Sequence, residues 1–442
     1  MRSSLACIFA VLTLITLLNA SVDTVLAFII LIITIILGTK FIKSVNSIQQ
    51  NFCSIYVFIY LFCSHTIVLL FPEFFKLKED NISHLWLFVH ILYIIFFISY
   101  LLLQNKKKYV EEKYVVKSVP KKQWKILIIT MFGLSFLSYS LGLSKMGTTQ
   151  EIYLPFHLAG IINYSRLTFI PVIYAFFLTR TRIAQNDKFK KYFIIYLIWL
   201  VLETFVRLSR GVLVMNMVEL CTIFIMAGTF KVKELSRLLL PIIVAALLLF
   251  PIVSSLRSIT RDSKVTSKDI AAATQTESKI GETVKESFLR MFSTASFYDR
   301  ISDNLPNKGF FDFTNAPYIV LLNGSHFFIT SEVDQRRLDE GHNSGSTGII
   351  DSLIFGGYGF CYIVFFLSCL SLIWLDSNSL VNKPFIRYIL YSVFIWFIRF
   401  RSVSFFLDPG VVEQILVSGV LLLFFRLYYK RMRYKRNDSA TL

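Results

Sequence analysis

Apolar residues in this chain come in repeated stretches close to the ~20 residues that a helix needs to cross a bilayer, with short polar runs between them. The pattern predicts spans at approximately Ser4 to Asn19, Thr24 to Ile42, Phe52 to Phe71, Leu85 to Leu103, Trp124 to Leu143 and Ile161 to Thr179. A second set follows at Tyr192 to Val206, Val212 to Phe230, Leu238 to Leu256, Ile349 to Leu375, Phe385 to Phe400 and Val411 to Phe425. The expected fold class is thus an all-α polytopic membrane protein of about twelve transmembrane helices. Three regions follow: residues 1–256 with the first nine helices, a long loop over 257–348, and residues 349–442 with the last three helices and a basic tail.

The loop is too long for a simple connection, and loops of that length are functional or disordered. Its pattern predicts order. Ser267 to Phe292 has helix-compatible spacing of Ile270, Ile280, Val284, Phe288 and Met291, and Phe297, Tyr298 and Ile301 suggest a further short helix. Phe310 to Thr330 is apolar but broken by Asn315, Pro317 and Asn323-Gly324, which suits a re-entrant or interfacial segment. The Gly-rich turn Gly341 to Gly345 then leads back to the membrane, and no internal repeat or low-complexity tract is evident.

Composition agrees with a lipid environment: 55% of residues are hydrophobic and 17% charged, against roughly 25% charged in soluble domains. The net charge of +18 raises nucleic acid as a partner, but Lys and Arg fall in short runs between apolar stretches, where the positive-inside rule puts them. With the N-terminus in the cytoplasm, Lys106-Lys107-Lys108, Lys121-Lys122, Arg180 to Lys191, Lys231 to Arg237 and the tail Arg426 to Arg436 all lie inside, so both termini are expected to be cytoplasmic. The long loop is then extracytoplasmic; its own basic residues do not conflict, because long loops translocate largely regardless of charge. Met1 to Ala20 can also be read as a cleavable signal peptide, which would leave the remaining orientation unchanged. All six cysteines lie in apolar stretches, so neither a disulfide framework nor a thiolate metal site is expected.

Ionisable groups inside spans are costly and carry a functional hypothesis by default. Arg166 falls in the outer part of its helix; Glu203, Arg207 and Arg210 crowd the next outer junction, with Asn216 and Glu219 one to two turns deeper; Arg399, Arg401, Asp408 and Glu413 gather between the last two helices. Two readings are open. Arginines at helix ends snorkel or form interhelical ion pairs, Glu203 with Arg207 for example. Alternatively, Arg207, Arg210, Arg399 and Arg401, on short outer turns that the positive-inside rule disfavours, join Arg257 around an anionic ligand whose phosphate oxygens match the guanidinium fork. A lipid-linked diphosphate is the natural candidate. His342 and His326 are candidate general bases or plain turn residues, and Phe310, Phe311, Phe313, Tyr318 and Phe327 either stack on sugar faces or pack a core. With no P-loop, dinucleotide fingerprint, zincin helix or nucleophile elbow, chemistry driven by ATP or a bound redox cofactor is not expected.

The helix count, the large late loop, Leu208-Ser209-Arg210-Gly211 opening a helix, and Gly341-His342-Asn343-Ser344 followed by Gly356-Gly357-Tyr358-Gly359 resemble the O-antigen polymerases. Arg337 and Gly348 match a spacing described in periplasmic loops of that family, with no second copy in the Met146 to Ser165 loop. The resemblance implies a membrane glycosyltransferase of the lipid-phosphate-dependent (GT-C-like) class in the bacterial inner membrane. It would join undecaprenyl-diphosphate-linked repeat units at the periplasmic face with a chain-length regulator as partner. On that reading Arg210 and Arg257, with Arg166, Arg207, Arg337, Arg399 and Arg401, bind the glycan-lipid diphosphate, and His342 or a loop carboxylate takes the acceptor proton. The alternatives are an O-antigen ligase, sharing the donor but not the acceptor, and a flippase or transporter of lipid-linked sugars.

Overall fold

The computed structural model describes residues 2–20, 24–75, 79–104, 118–142, 158–184, 186–207, 210–231, 233–238, 240, 253, 309–313, 348–377, 383–399 and 409–439. Among these the chain is helical, with no strand. In order come α1 (Arg2–Asn19), α2 (Val25–Ser44), α3 (Phe52–Leu61), a π turn (Phe62–Thr66), α4 (Ile67–Leu70), α5 (Pro72–Phe75), α6 (Glu79–Gln104) and α7 (Lys121–Ser140). Then follow α8 (Leu158–Tyr164), a second π turn (Ser165–Phe169), α9 (Ile170–Ala184), α10 (Asn186–Arg207), α11 (Arg210–Met226), α12 (Gly348–Ser377), α13 (Pro384–Arg399) and α14 (Pro409–Ser439). Every apolar stretch of the sequence except Leu238 to Leu256, which lies almost wholly outside the described residues, carries helix. Among the described residues, five helical stretches are long and apolar enough to cross a membrane: Arg2–Asn19, Val25–Ser44, Ile82–Leu103, Ile161–Ala184 and Gly356–Ser377. On α2, Val25, Leu26, Ile29, Ile32 and Ile36 are all exposed. An apolar surface of that extent needs lipid around it.

The helices sort into two compact units, one of Met1–Val110, Glu286–Val381 and Leu390–Asp408, the other of Glu111–Lys285, Asn382–Ile389 and Pro409–Leu442. In the first, α1, α2, α3, α6 and α12 pack together. Gly38 of α2 leaves room for the ring of Phe9, which a Cβ there would strike. Phe9 sits among Phe58, Tyr93 and Phe97, and Phe41 meets Phe96 and Tyr100. Polar groups in this core are tied off: Trp86 Nε1–H donates to Thr16 Oγ1 at 3.2 Å, and buried Asp376 at the end of α12 accepts from Cys53 N–H (3.1 Å), Ser54 N–H (2.8 Å) and Ser54 Oγ–H (2.7 Å). Asp376 is thus the anionic cap of α3, supplied from a distant part of the chain.

The glycine run Gly356-Gly357-Tyr358-Gly359, which falls inside the span expected over Ile349 to Leu375, interrupts the helix there. Gly357 has φ 78° and ψ −175° inside α12, a region essentially reserved for glycine. The freed backbone is satisfied by the loop segment at 309–313: Gly359 N–H donates to the Phe310 carbonyl at 2.7 Å and Asp312 N–H to the Gly356 carbonyl at 3.1 Å. A Cβ on Gly357 would collide with the Gly309 carbonyl oxygen. The rest of the loop, including the helices expected over Ser267 to Phe292 and the segment beyond Phe313, lies outside the described residues.

Candidate functional site

The site belongs to the second unit and starts from one face of α10. Tyr196, Trp199, Glu203 and Arg207 follow one another at intervals of three, four and four residues, which stacks them along a single helix face; all four are buried. Opposite them stand Ser135 of α7 and Arg166 of the second π turn, which is also fully buried. In that turn the Ile170 N–H reaches the Ser165 carbonyl. The wider i→i+5 turn sets the residues around Arg166 out of regular α-helical register.

Glu203 is held at both oxygens. Arg166 Nε lies 2.9 Å from Oε1, with both side chains at 0% exposure. Ser135 Oγ–H donates to Oε2 at 2.8 Å and itself accepts from Trp199 Nε1–H at 2.9 Å. Arg166 Nη2 reaches Asn163 Oδ1 at 3.4 Å, a weak contact. The carboxylate therefore pairs with Arg166 and not with Arg207, the example offered above for the ion-pair alternative. α10 carries Glu203 and Arg207 on the same face one turn apart, while the π turn brings Arg166 in from another helix and takes the carboxylate.

Arg207 is left in an unusual state. It is 3% exposed, yet its Nε and Nη1 have no hydrogen-bond partner; Arg166 Nη1 is likewise unmatched, and the close Arg166 Nε–Glu203 Oε1 approach is an ion pair without hydrogen-bond geometry. Arg166, Glu203 and Tyr164 act electrostatically on it. Two guanidiniums and one carboxylate give the cluster a net positive charge in a dry setting. Such an arrangement is costly by itself and becomes favourable when an anion arrives. An oxyanion presenting two oxygens fits the guanidinium fork.

Of the other sequence candidates, Arg210 opens α11 and Arg399 closes α13, with both side chains outside the described residues. Arg257, Arg337, Arg401, His326 and His342 lie wholly outside them. Asn216 is buried and donates from Nδ2 to the Val212 carbonyl at 2.9 Å, and Glu219 is hydrogen-bonded to Tyr388. Sequence reasoning missed Ser135, Trp199 and Asn163. The regular spacing of Trp199, Glu203 and Arg207 was the signal that could have exposed the α10 face; nothing local marks Ser135. Comparison with protein-family models, with curated proteins and with solved structures finds no match to this chain.

Proposed function

We propose that this chain is a polytopic membrane glycosyltransferase of the O-antigen polymerase kind, with about twelve spans and cytoplasmic termini. It transfers a growing glycan from its polyprenyl diphosphate to a hydroxyl of the next lipid-linked unit. In the reaction the anomeric carbon–oxygen bond to the diphosphate breaks, a glycosidic bond forms to the acceptor oxygen, and the acceptor proton leaves for a base. The lipid diphosphate departs with added negative charge. A group that meets that charge as it develops lowers the barrier.

The observation that carries the reading is Arg207, a buried guanidinium with Nε and Nη1 unmatched, set beside the Arg166–Glu203 pair. Glu203, locked by Ser135 and Arg166, holds Arg166 in place, so that the two arginines form a preorganised receptor for phosphate oxygens. Arg210, beginning the next helix, and Arg257, at the mouth of the long loop, complete it in this proposal, and His342 takes the acceptor proton.

The test uses purified protein in micelles with a synthetic undecaprenyl-diphosphate-linked repeat unit. A ladder of polymers with one lipid diphosphate released per linkage supports the proposal. Release that requires a lipid A core acceptor and yields no ladder would indicate a ligase. Movement of the unit across vesicle membranes with its linkage intact would indicate a transporter.

A further inference from the structure

A second cationic feature lies in the same unit but is independent of the α10 site. Lys383, just before α13, joins Ile386 of α13 and Arg426, Tyr429 and Lys430 of α14 around a cavity of ≈ 210 Å³. The three α14 residues share a face at i, i+3 and i+4. Aromatic packing fixes the walls: Phe385 stacks on Phe425 with centroids 5.2 Å apart, and Phe176 of α9 meets Phe385, Phe425 and Tyr428 edge-on at 4.9, 5.1 and 4.9 Å. Arg180 lies over the Phe176 and Tyr428 rings. Among the described residues, no acidic side chain forms an ion pair with Lys383, Arg426 or Lys430.

The surroundings state what kind of anion fits. Ile386 and Tyr429 line the cavity beside the three basic residues, and its lining surface is almost wholly apolar. Along α14, Leu416, Val420, Leu423 and Leu427 are all exposed, and their spacing of four, three and four residues makes one continuous apolar stripe. The stripe ends beside Arg426 and Lys430, where the apolar run of the sequence gives way to the basic tail. A hydrated free anion gains nothing from an apolar lining or stripe. A phospholipid uses both, its phosphate among the cations and its acyl chains along the leucines.

We propose that Lys383, Arg426 and Lys430 form a binding site for the phosphate of an anionic phospholipid, with its acyl chains lying on the Leu416–Leu427 stripe of α14. The site anchors the start of α13 and the C-terminal part of α14 to one leaflet. Each cation near a lipid headgroup contributes about fivefold in affinity, so loss of all three weakens binding by about a hundredfold.

The test is native mass spectrometry of the delipidated full-length chain, titrated with phosphatidylglycerol or with phosphatidylcholine. The triple variant K383Q/R426Q/K430Q is expected to lose about a hundredfold in phosphatidylglycerol affinity. A control with the same charge change, K121Q/K122Q/K125Q at the start of α7, is expected to change by less than about threefold. Equal losses in the two variants, or no loss in the first, would overturn the site. Inorganic phosphate at millimolar concentration should not displace phosphatidylglycerol; displacement would identify a free-anion site and overturn the lipid assignment. A photoreactive phosphatidylglycerol supplies a readout on the unaltered protein, with crosslinks expected in peptides containing residues 383–386 and 426–430. Crosslinks found only elsewhere would overturn the proposal even if the triple variant did not fold.

Discussion

Replacing Arg207 by methionine separates a functional arginine from a structural one. The substitution keeps an unbranched chain of similar length in a site 3% exposed, and it removes the unmatched Nε and Nη1. A buried polar group without a partner costs about 1–3 kcal/mol, and repulsion from Arg166 disappears as well. The variant should therefore unfold at the same temperature as the parent or higher, stabilised by about 1–3 kcal/mol. Activity should move the opposite way. If Arg207 meets the charge of the departing diphosphate, its loss costs about 2.7–4 kcal/mol of transition-state stabilisation, or ~10²–10³ in turnover, the scale seen for single oxyanion donors. Glu203→Gln is the contrast: it breaks the 2.9 Å buried pair with Arg166, which costs about 3–5 kcal/mol, and lowers stability and activity together. Both variants are assayed in one micelle preparation by thermal unfolding and by initial rates of lipid diphosphate release. Turnover of Arg207→Met within about threefold of the parent, or a loss of stability like that of Glu203→Gln, would refute the reasoning.

Ser135→Ala leaves Glu203 Oε2 and Trp199 Nε1 without their shared hydroxyl and should cost about 1–3 kcal/mol of stability; turnover should fall as well and recover in Ser135→Thr, measured in the same two assays. Gly357→Ala forces a Cβ into φ 78° and against the Gly309 carbonyl, and thermal unfolding should show a loss of at least about 1–3 kcal/mol. Asp376→Ala removes the acceptor of two α3 backbone N–H groups and should destabilise by about 0.5–2 kcal/mol, the range for a helix cap; Ser54→Ala, which keeps both backbone contacts, should lose less.

The sequence by itself determined that the described chain is helical and rich in candidate membrane spans. That property is local: a backbone in lipid must satisfy its own hydrogen bonds, so long apolar stretches leave helix as the solution. The sequence also marked Arg166, Glu203 and Arg207, because a charge within or beside an apolar run is visible without knowing the fold. Which of them pair was not legible. Glu203 with Arg207 was one example of an ion pair that the sequence left open, whereas Arg166 of a π turn and a serine 68 positions away take the carboxylate instead. That outcome depends on the rotation of separate helices, which no single stretch encodes. The Gly356 to Gly359 run is the parallel case. It falls within the one span expected over Ile349 to Leu375, and the break at Gly357 depends on the 309–313 segment, whose amide and carbonyl groups satisfy the opened turn. Tertiary structure decided both because unmatched polar groups under lipid must find partners, and here those partners lie far along the chain.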